Sequence, residues 1–301
     1  MRPRILVSLT AISGRIGELH RTLDSILRQT VEPDEIHLFV STRSYLLDKG
    51  IAKADIPAPV TALARAGRVK IRYTPNTGPH RKLLPILREN FGRKGIVIIT
   101  ADDDTIYPPT WVENLVERHL VDPAVVLGYR CRYIKADRRK IKPYRQWPRI
   151  GYGGPTNSPV GLDPMLIFPT GQGGVLYEPS SFSKHVFDDS YLKTCPFSAD
   201  IWFKFMALAN GVGAMALSPE NGRDFPSGSA SPIKLSHLNE LNPGSPKGKD
   251  SQLRTTHRYF RSQGSLLGDP WRNMAPLSLL DLLYLRWKGP RPSRRSAGKL
   301  L

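Results

Sequence analysis

No stretch constrains this chain more than GIVIITADDDTIYPPTW, Gly95 to Trp111. A short β-branched apolar run, Ile96 to Ile99, opens after Gly95 and has the composition of a fully buried parallel strand. It ends in three consecutive carboxylates, Asp102, Asp103 and Asp104. Ligands of open α/β sheets gather outside the carboxyl ends of strands. Three adjacent like charges at such a place repel one another unless a cation or solvent compensates them. A hard divalent ion, Mn²⁺ or Mg²⁺, carrying phosphate oxygens would do so, because these ions take oxygen ligands. The alternative is that the aspartates cap the helix announced by Pro108, Pro109 and the run Trp111 to Leu120, although a single aspartate is enough for a cap.

The rest of the first half sets this strand in an α/β rhythm. Ile5 to Leu9 is a buried strand, followed by a turn-rich segment, Thr10 to Gly17. Leu19, Leu23, Ile26 and Leu27 then share one face of an amphipathic helix over Gly17 to Gln29. Pro33 breaks the chain before a strand over Glu35 to Val40. Val69 to Tyr73 is a third strand, Lys82 to Phe91 a helix, and the Asp-tipped strand the fourth. This alternation predicts a mostly parallel central sheet flanked by helices. Val125 to Tyr129 and Gly171 to Tyr177 have strand patterns. Ser198 to Asn210 has the helical period, with Ile201, Phe205 and Leu208 on one face and Gly211 as its stop.

The net charge of +18 implies attraction to something anionic: nucleic acid, an acidic membrane surface or a phosphorylated substrate. Two cysteines, Cys131 and Cys195, lack metal-site spacing and point to a reducing compartment without a disulfide framework, a single bridge between them being the alternative. The apolar run after Arg2 and Arg4 is too short for a secretory signal. Leu277 to Leu285 is too short to span a bilayer and contains Asp281. A basic, Gly/Pro-rich region from Arg130 to Pro169 carries Lys135, Arg138, Arg139, Lys140, Lys142, Arg145 and Arg149, interleaved with Tyr144, Trp147 and Tyr152. Aromatics between cations suit a single-stranded nucleic acid, but no nucleic-acid module signature accompanies them. The tail from Leu277, apolar and then basic (Arg286, Lys288, Arg291, Arg294, Arg295, Lys299), suits an anionic membrane surface.

Several of these segments together resemble family-2-type glycosyltransferases of the GT-A fold: SLTAISGRIGELHRTLDSILRQTVEPDEIHLFVS behind the first strand, GPHRKLLPIL (Gly78 to Leu87), the Asp-tipped strand, GGVLYEP (Gly173 to Pro179) and CPFSADIWFKFMALANG (Cys195 to Gly211). The resemblance runs in order from Ile5 to Gly211. It implies a GT-A-like, Rossmann-type sheet with a loop-rich acceptor-side half. It divides the chain into a catalytic domain over 1–220 (1–124 binding the nucleotide sugar, 125–220 the acceptor) and a loop-rich C-terminal extension with a basic tail over 221–301.

Site roles follow from the resemblance position by position. Asp102 and Asp104 would hold the metal on the donor's diphosphate, and Asp103 would bond the ribose or sugar. Thr10, Ala11 and Arg15, in the loop after the first strand, would meet the base and ribose, and Lys82 would lie near the nucleotide. Asp200 would be the general base; similar enzymes show two adjacent acids there, where this chain has Ser198-Ala199-Asp200-Ile201. Gly173 and Gly174 would let the backbone approach the acceptor or only shape a turn, Trp202 would line the acceptor site or lie in the core, and His237 is a candidate further metal ligand.

The chemistry suits these residues. A divalent cation neutralises the charge developing on a leaving diphosphate, and a carboxylate takes the proton of the attacking hydroxyl. A carboxylate in the first turn of a helix is kept ionised by the helix dipole. The expectation is therefore a metal-dependent, inverting glycosyltransferase that uses a nucleotide-diphosphate sugar, a UDP-sugar first among them, and a glycan or glycolipid acceptor. It would be cytoplasmic and peripheral on the inner membrane face, held through the tail, with nucleic acid disfavoured. The alternatives are a basic nucleic-acid-binding protein on an α/β scaffold and a membrane-associated scaffold without catalysis.

Overall fold

The computed structural model describes residues 2–135, 141–151, 162–217 and 248–262. His237, Tyr152, the cations Arg138, Arg139 and Lys140, and the tail from Leu277 lie outside them. The described elements are, in order, β1 (Arg4–Thr10), α1 (Leu19–Leu27), β2 (Glu35–Val40), α2 (Ala58–Arg65), β3 (Lys70–Tyr73), α3 (Leu84–Asn90), β4 (Ile96–Ala101), α4 (Trp111–Val121) and β5 (Val126–Gly128). There follow β6 (Arg130–Tyr133), β7 (Arg149–Gly151), β8 (Ile167–Pro169), β9 (Val175–Tyr177), α5 (Tyr191–Thr194), α6 (Ala199–Ala209), β10 (Ala214–Ala216) and α7 (Lys249–Ser262).

Seven strands form the central sheet in the order β10-β5-β9-β4-β1-β2-β3. Its pairs are parallel except those of β9, which runs antiparallel to β4 and β5. β1 leads to β2 on one side and has β4 on the other, so the strand order reverses between β1 and β4. Their carboxyl ends lie side by side, with Leu9 paired to Ala101. A topological switch point is where such sheets hold ligands, and here it places Thr10 to Arg15 against Asp102 to Asp104.

Alternation along the buried strands feeds two cores. Ile5, Val7, Val97 and Ile99 face α1 and α4, packing on Leu19, Leu23, Trp111 and Leu115. Leu6 and Ile98 face α3 and α6, packing on Leu84, Leu87, Trp202 and Phe205. All six residues of β4 are buried, as a central strand covered on both faces requires. The aspartates after it do not cap α4, which begins at Trp111 behind Thr110.

Three elements differ from the sequence expectation. The helix expected over Lys82 to Phe91 is a 3₁₀ turn, Gly78–Lys82, followed by α3, because Pro85 has no N–H to give and sits in the first turn of a new helix. The basic region folds into a second, antiparallel sheet, β7-β6-β8, and its Tyr144 and Trp147 are buried in the core rather than offered to a ligand. The stretch 221–301, expected to be loop-rich, contains α7, which packs on α5 and α6.

One core group is costly. Lys204 of α6 is buried, with its Nζ 3.5 Å from the Pro164 carbonyl. Burial pushes its amine from an ordinary 10.5 down to about 7. Between those values the unfolded chain binds more protons than the folded one, so the lysine's contribution makes stability rise with pH across that window. Lys204→Met is expected to be more stable than the wild type at pH 7 and to lose this slope. Thermal unfolding at pH 7 and pH 9.5 reads the difference, each kcal/mol being worth about 2–4 °C in a domain of this size.

Candidate functional site

The loop after β4 is braced from below. The Asp102 amide donates to the Tyr107 hydroxyl at 2.7 Å, the Thr22 hydroxyl donates to the Asp103 carbonyl at 3.2 Å, and Tyr107 packs on Trp111. The three carboxylates are thereby fixed in different directions. Asp102 accepts from Lys82 Nζ at 2.6 Å. Asp103 is buried, ion-paired to Arg15, and accepts from the Ile12 amide at 3.3 Å. Asp104 accepts from Arg15 Nη1 at 2.7 Å and is about a third exposed, at 32%. Burial pushes the Asp103 carboxyl up to about 6 against the pull of Arg15. Asp104 is raised by burial and then by Asp102. Burial alone would lower Lys82, but Asp102, Asp200 and Asp103 together push it above its ordinary value. Three carboxylates thus meet two cations, Lys82 and Arg15.

Asp103, expected to bond ribose or sugar, instead spends its carboxylate on Arg15 and the Ile12 amide, tying the loop after β1 to the end of β4. Ala11 is fully buried and contributes its carbonyl to Arg81 rather than a surface to a ligand.

Arg81 and Asp48 were not singled out in the sequence, yet they organise the first cleft. Arg81 is 1% exposed. Its Nε donates to Thr10 Oγ1 at 2.7 Å, and its Nη2 to the Ala11 carbonyl at 2.8 Å and Asp48 Oδ2 at 2.9 Å. Asp48 also accepts from the Ser13 and Gly50 amides and from Asn76 Nδ2, at 3.0, 3.1 and 3.0 Å. One buried ion pair therefore joins three loops around a cleft of about 680 Å³, whose walls include Arg15, Tyr45, Asn76, Arg81 and Asp102. Arg81 Nη1 is buried there without a partner.

A second cleft, of about 720 Å³, adjoins the first, and Pro79, Lys82, Asp102 and Phe197 line both. Its far wall is Asp200, in the first turn of α6, ion-paired to Lys249 of α7. Burial alone would lower Lys249, but Asp200 and Tyr144 push it up. Gln252 of α7 accepts from the Phe197 amide at 2.9 Å, and Asp250 accepts from the Tyr144 amide at 2.7 Å. The N-terminal turn of α7 thus closes the side of the cleft behind Asp200.

The expected acceptor residues lie elsewhere. Trp202 is fully buried in the core, its indole N–H donating to the Val186 carbonyl at 2.9 Å. Gly173 accepts from Trp111 Nε1 at 2.8 Å. Gly174 has φ +92°, and a Cβ there would lie 2.5 Å from the Trp111 ring; these glycines let Trp111 pack. The glycine in the cleft wall is Gly171, beside the Lys82 ammonium. Among the described residues no three His, Cys, Asp or Glu side chains converge as a metal cage.

An α/β sheet with an acid-lined crevice at its switch point, and a second cleft opening from it, defines a GT-A-like fold. The model of glycosyl transferase family 2 matches residues 14–171, and the chain belongs to that family. Two solved structures align with most of the chain. A 4-diphosphocytidyl-2C-methyl-D-erythritol synthase is 11% identical, covering 85% of this chain and 99% of that one with a TM-score of 0.43. A CMP:2-keto-3-deoxy-manno-octonic acid synthetase complexed with CTP is 12% identical, covering 79% and 98% with a TM-score of 0.41. No curated protein matches the chain.

Proposed function

We propose that the chain transfers a sugar from a nucleoside-diphosphate sugar, a UDP-sugar first among them, to a hydroxyl of a glycan or glycolipid acceptor, with inversion. The observation that carries this is the meeting of the two clefts at Lys82 and Asp102, with Asp200 on the far wall. The nucleoside fits the cleft organised by Arg81 and Asp48, and the diphosphate the switch point. Asp200 takes the proton of the acceptor hydroxyl as its oxygen bonds the anomeric carbon, and the bond from that carbon to the diphosphate oxygen breaks. Lys82 and Arg15 attract the phosphates, as ammonium and guanidinium groups do.

The donor set suits a hard divalent cation, since Asp102 and Asp104 offer oxygen ligands where three carboxylates face two cations. Asp102 and Asp104, the more open two, would hold Mn²⁺ or Mg²⁺, and the ion would supply Lewis-acid neutralisation of the leaving diphosphate. The placement at the cytoplasmic membrane face rests on the charge of +18 and the basic tail. Among the described residues no helix is long and apolar enough to cross a membrane.

Thermal unfolding with UDP, GDP and CMP, with and without Mn²⁺, tests the reading. One nucleoside diphosphate is expected to stabilise the chain in a Mn²⁺-dependent way, by about 2.7 kcal/mol at a hundred times its dissociation constant. Asp104→Asn is expected to remove the Mn²⁺ dependence. The absence of a shift with every nucleotide would overturn the donor assignment.

A further inference from the structure

The small antiparallel sheet carries three arginines on one face. Arg130 and Arg132 are two residues apart on β6 and share a face, and Arg149 of β7 stands directly opposite Arg132. Like charges directly opposite across a strand pair are destabilising. Among the described residues none of the three has a carboxylate partner. Burial, then Arg149, pushes the Arg130 guanidinium below its ordinary value, and Arg132 adds to this. Arg132 donates from Nη1 to the Trp147 carbonyl at 2.6 Å and lies 4.5 Å from the Tyr144 ring centroid. Its Nε is buried without a partner.

Lys249, which lines the second cleft, links it to this face. Lys249, the partner of Asp200, lies 4.6 Å from the centroid of the same Tyr144 ring. It lies 5.4 Å from that of Phe168, the β8 residue paired with Arg132. Arg132 and Lys249 thus contact the same Tyr144 ring, and Lys249 pairs with Asp200.

We propose that Arg130, Arg132 and Arg149 form an anion subsite that holds a phosphate group of the acceptor, and so directs its hydroxyl toward Asp200. This deepens the acceptor-side reading above and rests on it. Three guanidiniums exceed what a single carboxylate neutralises, whereas a phosphate brings up to two charges and three acceptor oxygens that suit guanidinium forks. A nucleic acid fits less well, because Tyr144 and Trp147 are buried and offer no free faces for bases to stack on.

The test is titration calorimetry of the full chain with glycerol 1-phosphate, with glycerol as control. Binding of the phosphate alone is expected. Arg130→Gln/Arg149→Gln should weaken it by about tenfold or more, and Arg21→Gln, at an exposed position of α1, should leave it unchanged. Arg149 is exposed, so Arg149→Gln alone gives a folded variant with a partial loss. Equal affinity in the wild type and the double variant, or no binding by the wild type, would overturn the subsite.

Co-sedimentation with phosphatidylcholine vesicles, with and without phosphatidic acid, separates the sources. Capture only by the acidic vesicles, lost in the double variant, supports a lipid phosphate. Glycerol phosphate binding without vesicle capture supports a soluble phosphorylated acceptor. A 20-nucleotide single strand that binds more tightly than either, and is lost in the same variant, would overturn the proposal in favour of nucleic acid. The UDP-induced thermal shift, measured alongside, fails independently if the donor reading is the part in error.

Discussion

Asp200→Asn is expected to lower turnover by about 10²–10⁴-fold, the range a positioned general base contributes, while leaving nucleotide-induced stabilisation intact. Asp200 is the carboxylate of the second cleft that lies apart from the switch point, and α6 presents it from its first turn. An asparagine keeps the shape and can still accept a hydrogen bond from Lys249, but it cannot take a proton. It also leaves the Lys249 ammonium without its counter-charge. Part of any activity loss could therefore be a loss of structure, so two readouts are needed. Unfolding with and without UDP measures whether the donor side is intact, and steady-state kinetics at saturating donor measure chemistry. Lys249→Met is the control, since it disturbs the same pair but leaves the carboxylate in place and should retain more activity than Asp200→Asn. Turnover of Asp200→Asn within tenfold of the wild type would remove Asp200 from the reaction.

The sequence disclosed the sheet because its central strands are covered on both faces and read as unbroken apolar runs; β1, β2 and β4 are of this kind. It disclosed α1, α4 and α6 because each buries a stripe at helical spacing. The second sheet was hidden. β7 and β8 have three residues each and β6 four, too few for a period of two to show, and arginines occupy one face of β6. α2 buries only Val60, and α7 is polar along most of its length, so neither declares a core-facing side. At the site, the Asp-rich strand end was legible as chemistry, but its counter-charges were not. The pairs Lys82–Asp102, Lys249–Asp200 and Arg81–Asp48 join residues far apart in the chain, and no local pattern announces them. Trp202 fitted the acceptor site or the core by sequence alone, and on a helix whose faces are nearly all buried it is packing.

Arg81→Met is expected to cost about 3–5 kcal/mol of stability, the range for breaking one partner out of a buried ion pair, and to abolish nucleotide-induced stabilisation. The pair is nearly inaccessible, at 1% and 3% exposure for Arg81 and Asp48, so the surviving carboxylate cannot be rescued by solvent. It would keep its bonds from Ser13, Gly50 and Asn76 but lose its only charged partner among the described residues. The Thr10 hydroxyl and the Ala11 carbonyl would lose donors at the same time, and these sit where β1 runs into the loop beside the first cleft. Arg81→Lys should not restore the wild type, because one ammonium cannot reproduce the planar fork that reaches Thr10, Ala11 and Asp48 together. Asp48→Asn in the Arg81→Met background should recover part of the loss by removing the uncompensated charge. That non-additivity, on the order of 1 kcal/mol or more, separates a buried ion pair from two independent packing defects. Denaturant unfolding of the two single variants and the double variant measures it. A cost for Arg81→Met below about 1 kcal/mol, the level of an ordinary substitution, would mean that this pair does not hold the three loops together, and that the first cleft owes its shape to the apolar packing beneath it.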